Sequence, residues 1–267
     1  MKKLSLYGLL LSFLSILVFL TGCGRSQSAK TVRIGVVGTQ DEEIWESVAK
    51  TVRNKYNINL KITTFTDYNQ PNRALTSHDI DLNAFQNYAF QSVYNKKNNT
   101  SIVAIGRTYF QPLGLYSKKI DKLSDLKQNA TIAIPNDAAN ENRALVLLQS
   151  AGLIKLNNTG LATPQNITQN KLNLKIVTLD AAQTPRSLTS VTAAVINGNY
   201  AASAKISLKS ALYREKQKNG EQYINIVSTL KKNKNNATYK KIVKMYQSEI
   251  TKKNIKKYYK GNTVPAW

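Results

Sequence analysis

Short segments of alternating apolar and polar residues recur along the chain, and each is followed by apolar residues at helical spacing. Residues 31–38 are rich in Val and Ile and predict a strand. Ile44, Val48 and Val52 then fall four residues apart, which places them on one face of a helix. Residues 60–65 predict the next strand. This strand–helix–strand order is typical of a parallel sheet covered by helices.

The same pattern continues to the C-terminus. Further strands are predicted over residues 79–85, 101–106, 131–135, 174–179 and 192–196. Helices are predicted over residues 140–151, 235–248 and 251–259, and Gly152 is placed to end the first of them.

Strands and helices alternate in two sets, which predicts two α/β lobes. Residues 113–117 and 223–230 are candidates for the strands that cross between them. We therefore expect lobe 1 over residues 31–112 plus 230–267, and lobe 2 over residues 113–229. A ligand would bind in the cleft between the lobes, at the carboxyl ends of the strands.

The N-terminus has the features of an export signal. Lys2 and Lys3 precede an apolar run over residues 4–20, and Leu-Thr-Gly-Cys follows, ending at Cys23. The run is short for a membrane span, which needs about 20 apolar residues. We expect residues 1–22 to be a signal peptide, Cys23 to be lipidated, with palmitate among its acyl chains, and residues 23–30 to be a polar tether. The protein would then be anchored on the extracytoplasmic face of the cell membrane.

The chain is strongly basic. Its 38 Lys and Arg against 15 Asp and Glu give a formal charge of +23, and removal of Lys2 and Lys3 with the signal peptide leaves +21. The lysines are scattered and concentrate after residue 230. Because an exported protein rarely meets nucleic acid, we expect no nucleic-acid partner. A solvated basic face drawn to anionic lipid or cell-wall polymer is the alternative we favour.

The sequence offers little for catalysis. His78 is the single histidine, so a catalytic triad or a histidine metal site would have to be built on it alone. Lipidation of Cys23, the single cysteine, leaves no thiol nucleophile. Gly35 and Gly38 lack the further residues of a nucleotide-binding loop. We therefore expect no enzyme activity, no metal and no cofactor.

Several segments carry side chains that hydrogen-bond a small zwitterion. They include Asp-Tyr-Asn-Gln-Pro-Asn-Arg from Asp67, Asp-Ile-Asp-Leu-Asn-Ala-Phe-Gln-Asn from Asp79, Pro-Asn-Asp-Ala-Ala-Asn-Glu-Asn-Arg from Pro135, and Ile-Asn-Gly-Asn-Tyr-Ala from Ile196. With the C-terminal Tyr-Lys-Gly-Asn-Thr-Val-Pro-Ala-Trp, these segments resemble the methionine-binding lipoprotein family (MetQ/NlpA type). The resemblance runs in the family's order from Cys23 to the last residue.

This resemblance implies a fold and a function. The fold is the periplasmic-binding-protein type II α/β fold, with two lobes joined by two crossing strands. The expected function is that of a lipid-anchored solute-binding protein of an ABC importer, which binds methionine or a close analogue. Its partners would be a permease and that permease's ATPase, and we expect a monomer.

The resemblance also implies the ligand-binding residues. Arg143 would bind the ligand carboxylate, which suits the planar fork of a guanidinium, and it falls in the first turn of the predicted helix. Asn140, Asn199 and Asn225 would bind the amino and carboxyl groups. The remaining expected ligand contacts are Tyr68, Phe85, Asn87 and Phe90.

Two of these positions depart from the family, which often has His at the position of Asn87 and Tyr at that of Phe90. The departures imply an altered pocket at the side-chain end of the ligand, and they make D-methionine, a methionine-containing dipeptide or another amino acid alternative ligands. A different class of function is a surface adhesin that holds polyanions through its basic face. An exported enzyme is a third hypothesis, opposed by the single histidine.

Overall fold

The computed structural model describes residues 29–157, 160–216 and 220–267. The predicted signal peptide, Cys23 and most of the predicted tether lie outside these residues. The α-helices of the described residues are α1 (Thr39–Tyr56), α2 (Gln70–Thr76), α3 (Tyr88–Asn98), α4 (Ala138–Ser150), α5 (Thr184–Ser187), α6 (Gly198–Ser203), α7 (Ala237–Tyr246) and α8 (Glu249–Tyr258). None of these helices is long and apolar enough to cross a membrane.

The strands fall into two main sheets and one small hairpin. In chain order they are β1 (Lys30–Val37), β2 (Ile58–Phe65), β3 (Leu82–Asn83), β4 (Ile102–Phe110), β5 (Gly114–Tyr116), β6 (Thr131–Pro135), β7 (Lys155–Leu156), β8 (Ile167–Gln169), β9 (Lys175–Leu179), β10 (Ala193–Ile196), β11 (Tyr213–Arg214), β12 (Ile224–Leu230) and β13 (Val264–Pro265). The hairpin pairs β7 with β8.

The first sheet has the order β13-β4-β12-β3-β1-β2. β1 and β3 are parallel, with Ile34 opposite Leu82, as the strand–helix–strand pattern predicts. β12 runs antiparallel to both β3 and β4, so this sheet is mixed rather than wholly parallel. Helices α1, α7 and α8 pack together beside it, and their apolar faces share a core with β1.

The second sheet has the order β11-β5-β10-β6-β9. β6 is parallel to β9 and to β10, while β5 and β11 add antiparallel pairs at one side. Helix α4 packs against this sheet, and its buried Leu145 and Leu148 share an apolar core with Ile132 and Ile134 of β6. The two sheets therefore have separate apolar cores.

The chain passes between the sheets twice, first from β4 to β5 and later from β11 to β12. β12 pairs only within the first sheet, so residues 224–229 do not belong with the second sheet, where the predicted lobe boundary placed them. Residues 223–230 were predicted as a crossing strand, and the sequence of a crossing strand does not show with which sheet it pairs. The division into lobes otherwise stays a prediction.

The helix boundaries also differ in places from the sequence predictions. α4 begins at Ala138 because the Asp137 side chain caps it by accepting a hydrogen bond from the Asn140 amide. It ends before Gly152, whose φ of 77° is the left-handed conformation expected there. The strand predicted over residues 79–85 shortens to β3, Leu82–Asn83.

Candidate functional site

A cavity lies between the two sheets, at the carboxyl ends of their parallel strands. Every ligand contact expected from the resemblance lines it. The lining residues are Tyr68, Phe85, Gln86, Asn87, Phe90, Gln111, Asn140, Arg143, Asn197, Gly198, Asn199 and Asn225. The sequence therefore predicts a group of residues that the fold brings together, although their roles toward a ligand stay predictions.

Aromatic rings form one wall of the cavity. The Phe85 and Phe90 rings meet edge to face at 5.5 Å between centroids, and the Tyr68 ring lies 5.9 Å from Phe85 and 6.0 Å from Phe90. Tyr200 extends the cluster, with its centroid 4.9 Å from that of Tyr68. Such a wall offers apolar contact and polarisable ring faces and edges to a ligand side chain.

Two hydrogen bonds cross the cleft beside this wall. The Tyr68 hydroxyl, in the loop after β2, donates to Oδ1 of Asn199 in α6 at 2.5 Å. The Tyr200 hydroxyl donates to the Thr66 carbonyl at 3.3 Å. Burial raises the pKa of Tyr68 well above its ordinary value, so its hydroxyl keeps the proton that it donates. These bonds join the two sides of the molecule in a closed arrangement.

Arg143 is held in a buried ion pair with Glu215. Its Nε donates to Glu215 Oε1 at 3.0 Å and its Nη2 donates to Oε2 at 2.5 Å, and each side chain is only 4% exposed. Nη2 also donates to the Gln111 carbonyl at 3.0 Å. Among the described residues Nη1 has no hydrogen-bond partner, so one edge of the guanidinium remains free at the cavity.

The position of Arg143 corrects one sequence prediction. Because α4 begins at Ala138, Arg143 lies in the second turn of the helix and not in the first. Glu215 and Tyr223 orient the Arg143 guanidinium. Its carbon lies over the Tyr223 ring, 4.4 Å from the ring centroid. The helix N-terminus is therefore not the main source of its orientation.

Asn140 links two helix starts across the cavity floor. Its Nδ2 donates to both carboxylate oxygens of Asp137, at 3.1 and 2.9 Å, and its Oδ1 accepts from Nδ2 of Asn197 at 2.9 Å. Asn197 directly precedes α6, and its own Oδ1 is buried without a hydrogen-bond partner among the described residues. A buried acceptor left unpaired is costly, and a ligand donor would relieve that cost.

On the opposite side, Asn87 and Asn225 come together through their backbones. They form an isolated antiparallel bridge between the start of α3 and β12. The Asn87 side chain caps α3 by accepting from the Phe90 amide at 2.9 Å. Asn87 therefore serves as the N-cap of α3, a position at which Asn is a favoured residue.

A buried amide network supports this side of the cavity. Gln86 donates from Nε2 to Oδ1 of Asn72 at 3.0 Å and of Asn83 at 3.2 Å. Asn72 returns a bond from Nδ2 to Gln86 Oε1 at 2.8 Å. Fully hydrogen-bonded networks of this kind fix side-chain positions in a core.

Four residues of the cavity lining were not among the sequence predictions: Gln86, Gln111, Asn197 and Gly198. Glu215, which forms the ion pair with Arg143, was not predicted either. Gly198 is required by close approach, since a Cβ there would lie 2.4 Å from the Gln111 side chain. Asn197 and Gly198 adjoin Asn199 in the segment that suggested the site, so proximity in sequence could have found them. Glu215 carries no such signal, because it lies 72 residues from Arg143.

The remaining chemistry-bearing residues lie elsewhere. His78 is exposed in the turn after α2, as expected, and lies beside Lys232. Among the described residues no group of three or more His, Cys, Asp or Glu side chains could hold a metal ion.

Two α/β units that enclose a polar and aromatic cavity define the class of type II periplasmic substrate-binding proteins. Comparison with known proteins places the chain within that class. The model of the NlpA lipoprotein family matches residues 32–267, and the chain belongs to this family of substrate-binding proteins, which are not enzymes.

Relatives with names and solved structures cover almost the whole chain. The D-methionine-binding lipoprotein MetQ of Escherichia coli K12 is 36% identical over 254 residues, 93% of each chain. A nutrient binding protein from Burkholderia cenocepacia, solved bound to methionine, is 43% identical with a TM-score of 0.85 over 88% of this chain and 100% of its own. The substrate binding protein of a Streptococcus pneumoniae methionine transporter is 43% identical with a TM-score of 0.84, covering 89% of this chain and 96% of its own.

Proposed function

We propose that this protein is the lipid-anchored substrate-binding protein of an ABC importer and that it binds methionine. The observation that carries the proposal is the cavity itself, in which an aromatic wall faces buried amides and one free guanidinium edge. The names of the relatives support the choice of ligand, since they are methionine-binding proteins or were solved with methionine bound.

The cavity has distinct places for the parts of a methionine zwitterion. The carboxylate would accept from Nη1 of Arg143, the edge that Glu215 leaves free. The ammonium would donate to the unpaired Oδ1 of Asn197, and the amides of Asn199 and Asn225 would complete the polar contacts. The thioether would lie against Phe85 and its neighbouring rings, where sulfur–aromatic contacts each contribute about 0.3–1.5 kcal/mol.

Charge also favours a zwitterion. Arg143, the cation of the described lining, is offset by Glu215, and the other polar groups of the lining are neutral amides and a phenol. A ligand with net charge would have to be buried in low dielectric without a counter-ion, which is costly. A neutral amino acid, whose two charges each find a partner, does not have this cost.

The anchor is part of the proposal. We propose that residues 1–22 are removed and that Cys23 is acylated, which agrees with the lipoprotein name of the family. Two or more acyl chains give stable anchoring. The anchored domain would capture ligand outside the membrane and deliver it to a permease, whose ATPase partner would supply the energy.

The residues at the side-chain end of the cavity bear on the choice between methionine and related ligands. Phe90 carries no hydroxyl and Asn87 is occupied as a helix cap, so this end of the cavity is more apolar than a Tyr and His pair would make it. That favours an apolar side chain. D-methionine and a methionine-containing dipeptide remain alternatives that the same measurement distinguishes.

Titration calorimetry tests the proposal on the purified mature chain. L-methionine, D-methionine and methionylalanine would be compared with norleucine, which has the shape of methionine without its sulfur, and with glutamate, which adds a net charge. We expect methionine to bind more tightly than norleucine and glutamate not to bind. Glutamate binding as tightly as methionine, or no heat from any of these ligands, would reject the proposal.

A further inference from the structure

The lysines after residue 230 are unevenly placed in the fold. Residues 231–260 contain eleven lysines and a single glutamate. The first of them, Lys231, Lys232 and Lys234, follow the end of β12, and Lys240 and Lys241 lie in the first turns of α7. All five are exposed.

Strand register places these lysines at the end of the first sheet where the chain enters. β1 and β3 run parallel and β12 runs antiparallel to β3, so the end of β12 lies at the same edge of the sheet as the start of β1. The amide of Lys231 donates to the Ser101 carbonyl just before β4. The side chain of Asn59 donates to Thr31 in the same region. Thr31 is thus at the lysine-bearing end of the sheet.

The C-terminal end of α1 adds to this surface. Lys241 lies over the Tyr56 ring, 5.1 Å from its centroid, and Lys55 lies over the same ring at 5.7 Å. We name the resulting surface the anchor-end face and define it by six exposed lysines: Lys55, Lys231, Lys232, Lys234, Lys240 and Lys241.

The charges of the anchor-end face are not compensated. Among the described residues none of its six lysines has a carboxylate within ion-pair distance. Lys232 contacts His78 and Lys240 contacts the amide oxygen of Asn235. Of the two acids that precede β3, Asp81 is already paired with Arg33 and Asp79 is exposed. The face therefore carries a concentrated positive field.

We infer that the anchor-end face binds the anionic phospholipid headgroups of the membrane to which the protein is tethered. This inference rests on the acylation of Cys23 in the proposed function. Seven residues separate Cys23 from Thr31, and the eight steps between them span at most about 28 Å in a fully extended chain, so Thr31, at this end of the sheet, stays within about that distance of the bilayer surface. Lysine ammoniums on flexible stems suit a surface of diffuse negative charge better than one defined ligand.

Binding to the headgroups would act on the orientation of the protein. A tether alone leaves the domain free to rotate, whereas a basic patch near an anionic surface favours the orientation with that patch facing the lipid. The cleft lies at the opposite ends of the strands, so the same orientation would direct the cleft away from the lipid.

Vesicle cosedimentation tests the inference on the mature chain carrying Cys23→Ser, in which acyl chains cannot contribute. Vesicles of phosphatidylcholine would be compared with vesicles that also contain phosphatidylglycerol. The test variant is Lys231→Gln with Lys232→Gln and Lys234→Gln. The control is Lys127→Gln with Lys171→Gln and Lys175→Gln, which removes equal charge from exposed lysines near the starts of β6 and β9.

We expect binding that requires phosphatidylglycerol and weakens as salt shortens the Debye length from about 10 to 3 Å. Each lysine near an anionic surface contributes about fivefold, so the test variant should lose about 100-fold in partitioning while the control stays within about twofold of its parent. Equal losses in both variants, or binding to inorganic polyphosphate but not to the vesicles, would overturn the inference.

Methionine calorimetry on the same proteins separates this inference from the proposed function. Because the anchor-end face lies away from the cavity, the test variant should bind methionine as its parent does. A parent protein that binds methionine but shows no preference for vesicles containing phosphatidylglycerol would count against the inference alone. Absence of methionine binding with the vesicle pattern intact would count against the proposed function and support the face as a lipid site.

Discussion

At the scale of single residues, we expect the ion pair between Arg143 and Glu215 to determine what the cavity can bind. Both side chains are buried, so neither charge is stable there without the other. Glu215 also accepts from the Leu113 amide, which fixes it where the chain crosses between the sheets. A guanidinium held in this way presents its remaining N–H edge in one orientation, which is what recognition of a carboxylate requires.

The first prediction concerns this pair. Glu215→Gln leaves the buried guanidinium uncompensated, so we expect the free energy of unfolding to fall by about 3–5 kcal/mol. Methionine affinity should fall at least tenfold. The double variant Arg143→Met with Glu215→Leu should recover most of the stability but not the binding. Urea unfolding and calorimetry measure both.

A matched control comes from an exposed pair. Arg107 and Glu221 are joined at 3.2 Å on the surface, where an ion pair contributes at most about 1 kcal/mol. Glu221→Gln should therefore change stability little. If Glu215→Gln were as mild as Glu221→Gln, the structural role assigned to the buried pair would be wrong.

Asp41 carries a second prediction at this scale. Its side chain is buried near the start of α1, Oδ2 accepts from the Tyr109 hydroxyl at 2.7 Å, and Oδ1 has no partner among the described residues. Burial raises the pKa of Asp41 to about 7, against a lowering by hydrogen bonds with Tyr109 and Tyr259. The folded protein therefore holds a proton that the unfolded chain releases near pH 4.

The sign of the pH dependence follows from that proton. Between about pH 4 and pH 7 the folded state binds more protons than the unfolded state, so this group's contribution to stability decreases as pH rises. Relative to Asp41→Asn, we expect the free energy of unfolding of the parent to fall by on the order of 4 kcal/mol across this window. Above the window the difference between the two proteins should stay constant. Urea unfolding over a pH series gives the result.

Asp79→Asn, at an exposed site, controls for the loss of one carboxylate. If the stability of the parent and of Asp41→Asn changed with pH in parallel, the prediction would be contradicted.

These residues also show what sequence could and could not provide. Arg143, Asn199 and the aromatic residues were predicted from the family resemblance of the segments in which they lie, and they line the cavity. Glu215 was missed because ion pairing between distant positions leaves no local pattern. The role of Asn140 was incomplete for the same reason, since its partner Asn197 lies 57 residues away.

At the scale of elements, the predictions were most reliable where periodicity is strong. β6 matches its predicted residues 131–135, and the apolar face of α1 is buried at Ile44, Val48 and Val52. β3 is shorter than predicted because the residues from Phe85 onward turn into the cavity lining, which alternation does not report. β12 was predicted as a crossing strand, and its pairing with β3 and β4 could not be predicted because pairing partners are decided by tertiary contacts.

Helix starts give the third prediction. Asp137 caps α4 and also positions Asn140 by accepting both of its amide hydrogen bonds. Asp137→Ala should cost about 1 kcal/mol of stability and should also weaken methionine binding. The control is Asn236→Ala, which removes the cap of α7 far from the cavity. That variant should lose similar stability and keep its affinity. Equal methionine affinity in the two variants, measured by calorimetry beside urea unfolding, would contradict the positioning role of Asp137.

At the scale of the whole molecule, we expect function to depend on an equilibrium between separated and closed arrangements of the two sheets. The described arrangement is closed, with the Tyr68 and Tyr200 hydroxyls bonded across the cleft. A ligand shifts such an equilibrium only by the difference in its affinity for the two arrangements. The methionine contacts proposed here come from both sides of the cleft, at Phe85 on one side and Arg143 on the other, so ligand and cleft-crossing bonds should favour the same closed state.

The last prediction separates the contribution of the protein's own bonds from that of the ligand. Tyr68→Phe keeps the ring in the aromatic wall but removes the donor to Asn199, leaving that buried acceptor unpaired only when the cleft is closed. We expect methionine affinity to fall about tenfold, mainly through faster dissociation, because one hydrogen bond and one unpaired acceptor act on the closed state alone. The control is Tyr213→Phe, whose hydroxyl bonds to Ser150 on the same side of the cleft. Stopped-flow dissociation and small-angle scattering should show a more open ligand-free Tyr68→Phe chain, whereas Tyr213→Phe should match its parent. Identical dissociation rates for the two variants would mean that the bond across the cleft contributes nothing to closure.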